Sequence, residues 1–219
     1  MAEDVKPRPY RSPLRADLAR ETRRRIRAAA EATFLEGGYL ATSMDDIARV
    51  AGVSRQTIFT AFGSKAGVLK EILDVRLVGD EAPIPLLERP VARRIATARD
   101  AAEAIRLLAK LGTEVAVRVA PLWTVLVVAA ATDPSIAELQ RSYDSARLEG
   151  VGTLTDLLAR RGFLAPARSR RKVKEAITLL TGPAMVSDAQ RLGWSTADIE
   201  RWLADCLTGV LLSRNGSTS

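Results

Sequence analysis

Four polar side chains within six residues, Arg55, Gln56, Thr57 and Thr60, bring together hydrogen-bonding groups that suit the edges of nucleic-acid bases. A guanidinium matches the two acceptors of guanine, a carboxamide matches the donor and acceptor of adenine, and hydroxyls serve bases or phosphates. On a helix, Ile58 and Phe62 fall on one inward side and leave these four groups facing out. Just before them, Ala51-Gly52-Val53 supplies a small residue and a glycine where two helices would cross closely. Met44 to Phe62 thus has the form of a helix-turn-helix, whose second helix can enter a major groove about 12 Å wide. A helical hairpin in an unrelated all-α protein would read alike, so the motif needs independent support.

Other chemistry is scarce. The chain has no histidine and one cysteine, Cys206, which excludes an internal disulfide, a Cys/His zinc site and the Ser-His-Asp or Cys-His catalytic systems. Asp45-Asp46 is an acidic pair better explained by the start of a helix than by catalysis. No catalytic residue, metal site or cofactor is expected. The formal charge is +7, from 33 basic and 26 acidic residues, which favours a polyanionic partner. The excess gathers near the start: eight arginines from Arg8 to Arg27 face only Asp17 and Glu21. Met1 to Leu14 has no apolar core of a signal peptide, and the longest uncharged run, Val119 to Thr132, contains Pro121 and is too short for a membrane span. A cytoplasmic protein without a membrane partner is the expectation.

The positioning elements are read as helices throughout, since Ala, Leu and Arg abound and no strand pattern emerges. Residues 1–16, with Pro7, Pro9 and Pro13, read as a flexible basic arm. A helix from Asp17 carries Ile26, Ala30 and Phe34 and stops at Gly37-Gly38. Ser43, with Asp46 three positions on, caps a second helix, Ser54 a third, and Ser64 a fourth bearing Val68, Leu69, Ile72, Leu73 and Leu77. Prolines between Asp80 and Pro90 mark a boundary. Beyond it the pattern predicts helices over 91–98, 100–118, 121–131, 134–160, 169–192 and 196–213, with a kink at Gly182-Pro183. The layout is an all-α N-terminal three-helix helix-turn-helix domain with its connector helix (17–80), joined to a second helical domain (81–219).

Residues 20 to 75 resemble the N-terminal domain of the tetracycline-repressor (TetR) family. The resemblance rests on Ile26, Ala29-Ala30, Phe34, Gly38-Tyr39, Thr42, Ile47-Ala48, Ala51-Gly52-Val53-Ser54, Thr57, Phe62, Ser64-Lys65 and Leu69. It implies a homodimeric regulator of a palindromic double-stranded DNA operator, released by a small-molecule effector. Thr42 and Lys65 would hold phosphates, and Arg55, Gln56 and Thr57 would face bases with Thr60 near the edge. Ser43 and Phe59 belong to the same surface. Phe59 stands where the family commonly has tyrosine, Ala61 where a larger polar residue is common, and Gln56 where a small one is frequent. The arginines from Arg8 to Arg25 could compensate by following phosphates or the minor groove, or could form a merely solvated tail.

The resemblance further implies that the last two helical stretches pair with a second copy, through the stripe Ile199, Trp202, Leu203, Cys206, Leu207 and Val210. Effector-pocket candidates are Trp123, Leu126, Val127 and Met185, with Arg118 or Arg147 as polar contact. Trp123 and Met185 also suit a plain core. Two other classes stay open, a helical adaptor binding protein partners through its basic arm, and a helical enzyme.

Overall fold

One long helix and three shorter, separately capped ones build the N-terminal third. The computed structural model describes residues 13–82, 84–166 and 168–212. Helix α1 (Pro13–Ala41) breaks at Gly38, where φ is 78° and ψ is 160°. It begins within the stretch read as an arm, and Met1 to Ser12 lie outside the described residues. Helix α2 (Met44–Ala51) opens on a complete capping box: the Ser43 hydroxyl accepts from the Asp46 N–H, and the Asp46 carboxylate accepts from the Ser43 N–H. Gly52 closes it in the left-handed region at φ 63°, a conformation costly for a residue with a Cβ. Ser54 caps α3 (Arg55–Phe62) and Ser64 caps α4 (Lys65–Val78). Gly67, which no sequence pattern singles out, lets α4 approach the end of α3: a Cβ there would lie 2.1 Å from the Phe62 carbonyl oxygen.

The second part is built around one helix. After a 3₁₀ turn (Leu86–Glu88) and α5 (Pro90–Ala96), α6 (Ala101–Ala130) runs unbroken through Pro121. The sequence pattern predicts two separate helices there. Pro121 removes one backbone donor, yet Val119, Ala120 and Leu122 on either side are buried, and that packing outweighs the missing bond. α7 (Pro134–Arg160) follows. The stretch expected as one kinked helix is divided at Gly182-Pro183 into α8 (Arg170–Leu180) and α9 (Pro183–Arg191), and α10 (Thr196–Leu212) ends the described chain. By length and composition α6 could cross a membrane. Its apolar faces are instead engaged by α1, α4, α5, α7, α9 and α10.

One core joins the two parts. Ile26, Phe34, Ile47, Ile58 and Leu69 pack in the same cluster as Leu122 and Leu126 of α6 and Ile136 of α7, so the three-helix head rests on the helices behind it. Arginines fasten it further. Arg23 and Arg27 both pair with Glu71 of α4, and the Arg25 guanidinium donates to the Ala51 carbonyl at 2.6 Å across the α2–α3 turn. Part of the basic excess is therefore structural.

The capping box gives a pH test. Hydrogen bonds from Ser43 hold the Asp46 carboxyl below its ordinary value of 3.8. A depressed carboxylate contributes stability above its unfolded pKa and loses it as pH falls through the folded one. Asp46→Asn should therefore flatten the acid limb of a stability curve below about pH 4, relative to wild type, in thermal unfolding followed by circular dichroism.

Candidate nucleic-acid interface and buried cavity

The capped turn at Gly52 and the burial of Ile58 fix which face α3 shows. Arg55, Gln56, Phe59 and Thr60 are exposed, and Thr57 is half-buried with its hydroxyl 2.8 Å from that of Ser54. The four polar groups named from the sequence therefore lie together on one short helix. Arg55 is not idle: its Nη1 pairs with Asp45 at 3.1 Å, and its guanidinium lies 5.4 Å from the centre of the Phe59 ring. Phe59 thus shelves the arginine where a tyrosine would have carried a hydroxyl.

If Arg55 is to meet a base, as the resemblance implies, Asp45 competes for the same guanidinium. Both partners are exposed, so the pair is worth at most about 1 kcal/mol. Asp45→Asn is expected to tighten operator binding about threefold at constant salt, by freeing Arg55 and removing a negative charge beside the DNA. Weaker binding confined to one base position would instead mean that Asp45 itself accepts from a cytosine amino group.

The phosphate-holding set is partly corrected. Thr42 is buried, and its hydroxyl donates to the Gly38 and Thr33 carbonyls at 2.8 and 3.2 Å. The Ser43 hydroxyl donates to Asp46 at 2.6 Å. Both are committed to the α1–α2 junction, where Asp45 and Asp46 also oppose an anion. The Lys65 ammonium donates to the Tyr39 and Thr42 carbonyls, each at 2.8 Å, and lies 4.2 Å from the centre of the Tyr39 ring. Burial lowers its pKa from 10.5, against the opposing influence of Asp133. Burial, then Asp133, pushes the Tyr39 phenol up to about 12. Two of the three ammonium hydrogens of Lys65 are spent, leaving one.

Behind the head lies a cavity of about 580 Å³, bounded by α4, the 3₁₀ turn, α6, α7, and α8 with the start of α9. That volume is within the range of small-molecule sites. Of the six residues named for an effector pocket, Trp123 and Arg147 line it. Four other candidates do not. Arg118 donates to the Arg76 and Leu77 carbonyls at 3.0 and 3.2 Å and so closes the end of α4. Leu126 is wholly buried in the core that joins the head to α6, Val127 is exposed, and Met185 packs beside Ala116, Ala120 and Val186.

Tyr143, missed from the sequence, lines the cavity beside Trp123, and its hydroxyl donates to Asp74 at 2.7 Å with the Lys70 carbonyl at 3.0 Å. It links the cavity wall to α4. No periodicity marks such a residue, because its hydroxyl partner lies 69 positions away.

The stripe proposed for a second copy is also redistributed. Ile199, Leu203 and Leu207 are wholly buried within their own chain, against residues of α6, α8 and α9, and cannot touch a partner. Trp202, Cys206 and Val210 remain half-exposed. Trp194 packs edge-on against Trp202 at 5.8 Å, and Leu179 and Leu192 are about three-quarters exposed. Among the described residues, no three His, Cys, Asp or Glu side chains gather as a metal site.

Comparison with known proteins bears on both parts. Residues 26–72 match the model of the bacterial regulatory proteins of the tetR family. The HTH-type transcriptional regulator TtgR of Pseudomonas putida is 43% identical over 56 residues, 26% of this chain and 27% of that one. The chain thus matches about a quarter of the length of this relative. Over the whole chain the likeness is one of fold. Pseudomonas aeruginosa NalD, the secondary repressor of the MexAB-OprM multidrug efflux pump, superposes with a TM-score of 0.65 at 24% identity, covering 90% of this chain and 100% of its own. A TetR-family protein of Syntrophomonas wolfei reaches 0.73 at 15% identity, covering 90% and 98%.

Proposed function

We propose, from the premise that this chain belongs to the TetR family of bacterial regulatory proteins, that it is a cytoplasmic repressor which binds a palindromic operator as a homodimer and lets go when a small molecule fills the cavity. The observation that carries this reading is the outward polar face of α3, set by two capped helices and a left-handed glycine. Arg55 and Gln56 read base edges, Thr57 and Thr60 support them, and Lys65 touches a phosphate with its remaining hydrogen. Thr42 and Ser43 shape the junction beneath. Residues 17–80 act as the reading head and 81–219 as sensor and dimerisation part.

The half-exposed face Trp202, Cys206 and Val210, with Leu179, Leu192 and Trp194, meets its own copy about a two-fold axis. Two α3 helices then face half-sites about 34–36 Å, or a multiple, apart. The sign of regulation takes support from NalD, a repressor with this fold.

Selection from a random double-stranded DNA pool tests it. The wild-type protein should enrich a palindrome that Thr57→Ala blurs at particular bases. Retention of DNA without any enriched sequence, at a level that falls steeply with salt, would refute the operator reading.

A further inference from the structure

The cavity is almost wholly apolar, walled by residues such as Leu77, Leu108, Val119, Trp123 and Leu154, yet one guanidinium stands in its wall. Arg147 has five N–H donors. One of them, on Nη1, reaches the Thr178 carbonyl at 2.6 Å and caps the end of α8. Nε is buried with no partner, and the sole ion-pair partner among the described residues is Asp144, at 3.8 Å and itself nearly half exposed. Of the other polar groups of the wall, the Tyr143 hydroxyl is committed to Asp74, the Thr181 hydroxyl to the Ile177 carbonyl, Glu88 is exposed, and the Trp123 indole N–H is a neutral donor. Arg147 is the cation that the cavity-lining residues provide, and its own chain neutralises it poorly. A partly desolvated charge so placed favours an anion that can accept two parallel N–H bonds.

We propose that the cavity takes an apolar monocarboxylate, its hydrocarbon or aromatic body among the leucines, valines and Trp123 and its carboxylate on Arg147. This deepens the reading of the cavity as an effector site and rests on it for its regulatory consequence, but not for binding. The carboxylate takes the donors that Asp144 reaches only at long range, and leaves the Thr178 bond in place. Asp144 is thus a competitor as well as a partner. The two acids share one guanidinium, and removing the protein's own should strengthen the ligand's hold.

Binding of two matched pairs to the full-length protein, octanoate against octanamide and 2-naphthoate against 2-naphthamide, tests this by calorimetry. In wild type at least one carboxylate should bind ten or more times tighter than its amide. Arg147→Gln should abolish that preference and Arg147→Lys should retain part of it, each with circular dichroism matching wild type. Asp144→Asn, at an exposed position that leaves the fold alone, should tighten the carboxylate about threefold and leave the amide unchanged. Equal binding of acid and amide, no binding of either, or a carboxylate affinity indifferent to Asp144→Asn would overturn the proposal. Release of operator DNA is read separately: a carboxylate that binds as stated without freeing operator keeps the site and refutes its role as an effector site.

Discussion

Replacing Lys65 with methionine is expected to weaken operator binding about a hundredfold and to destabilise the reading head by about 2–3 kcal/mol. The stability loss follows from what the ammonium holds. It donates at 2.8 Å to two carbonyls, those of Tyr39 and Thr42, where α1 gives way to α2. Hydrogen bonds from a charged donor are worth about 1.5–3 kcal/mol each, and the half-buried carbonyls regain only part of that from water. The affinity loss has two sources. Without the clamp, the α1–α2 junction no longer fixes the angle at which α3 is presented. The third ammonium hydrogen, the one the proposal assigns to a phosphate, is lost as well. A hundredfold change corresponds to about 2.7 kcal/mol. Measured well below the melting temperature, the salt dependence separates the two sources: loss of one phosphate contact per protomer should reduce the slope of log K against log salt by about 2 for the dimer. An unchanged slope would make Lys65 a clamp alone.

Such local devices are what the sequence states most openly. A cap is written within four residues, so Ser43 with Asp46, Ser54 and Ser64 could be read directly, and Gly52 likewise. The outer face of α3 followed from them. What the sequence left ambiguous is helical phase over long distances. Dividing α6 at Pro121 lost the register that sends Leu122, Leu126 and Ala129 toward the head, turns Trp123 to the cavity and leaves Val127 outside. In α10 two apolar stripes run side by side at four-residue spacing, 199-203-207-211 and 202-206-210. The first is the core. Nothing in a single pattern says which of two adjacent stripes its own chain will cover, because the answer lies on α6, α8 and α9. Arg118 shows the same limit: an arginine read as a ligand contact serves instead to cap α4 from 41 residues away.

Tyr143→Phe is expected to reduce effector-driven release of operator at least tenfold, while the affinities for effector and for operator each stay within about twofold. The phenyl ring still lines the cavity and still meets Trp123 edge-on, at 6.5 Å between centres in the native pair. What goes is the hydroxyl that donates to Asp74 on α4. The phenol keeps the proton for that bond at neutral pH: burial first, and then the Asp74 carboxylate, holds it well above the ordinary tyrosine range. On the proposed function, a ligand that moves the ring would pull on α4 through this bond, and α4 carries Lys65 and packs on α3. Couplings between sites are commonly about 1–3 kcal/mol, and a tenfold loss is about 1.4 kcal/mol of it. Comparing operator affinity with and without saturating effector, in both proteins, isolates the coupling from the two affinities. If the phenylalanine variant releases as wild type does, the next polar hold on α4 to test is the Arg118 guanidinium on the Arg76 and Leu77 carbonyls. Arg118→Met should then show the deficit that Tyr143→Phe does not.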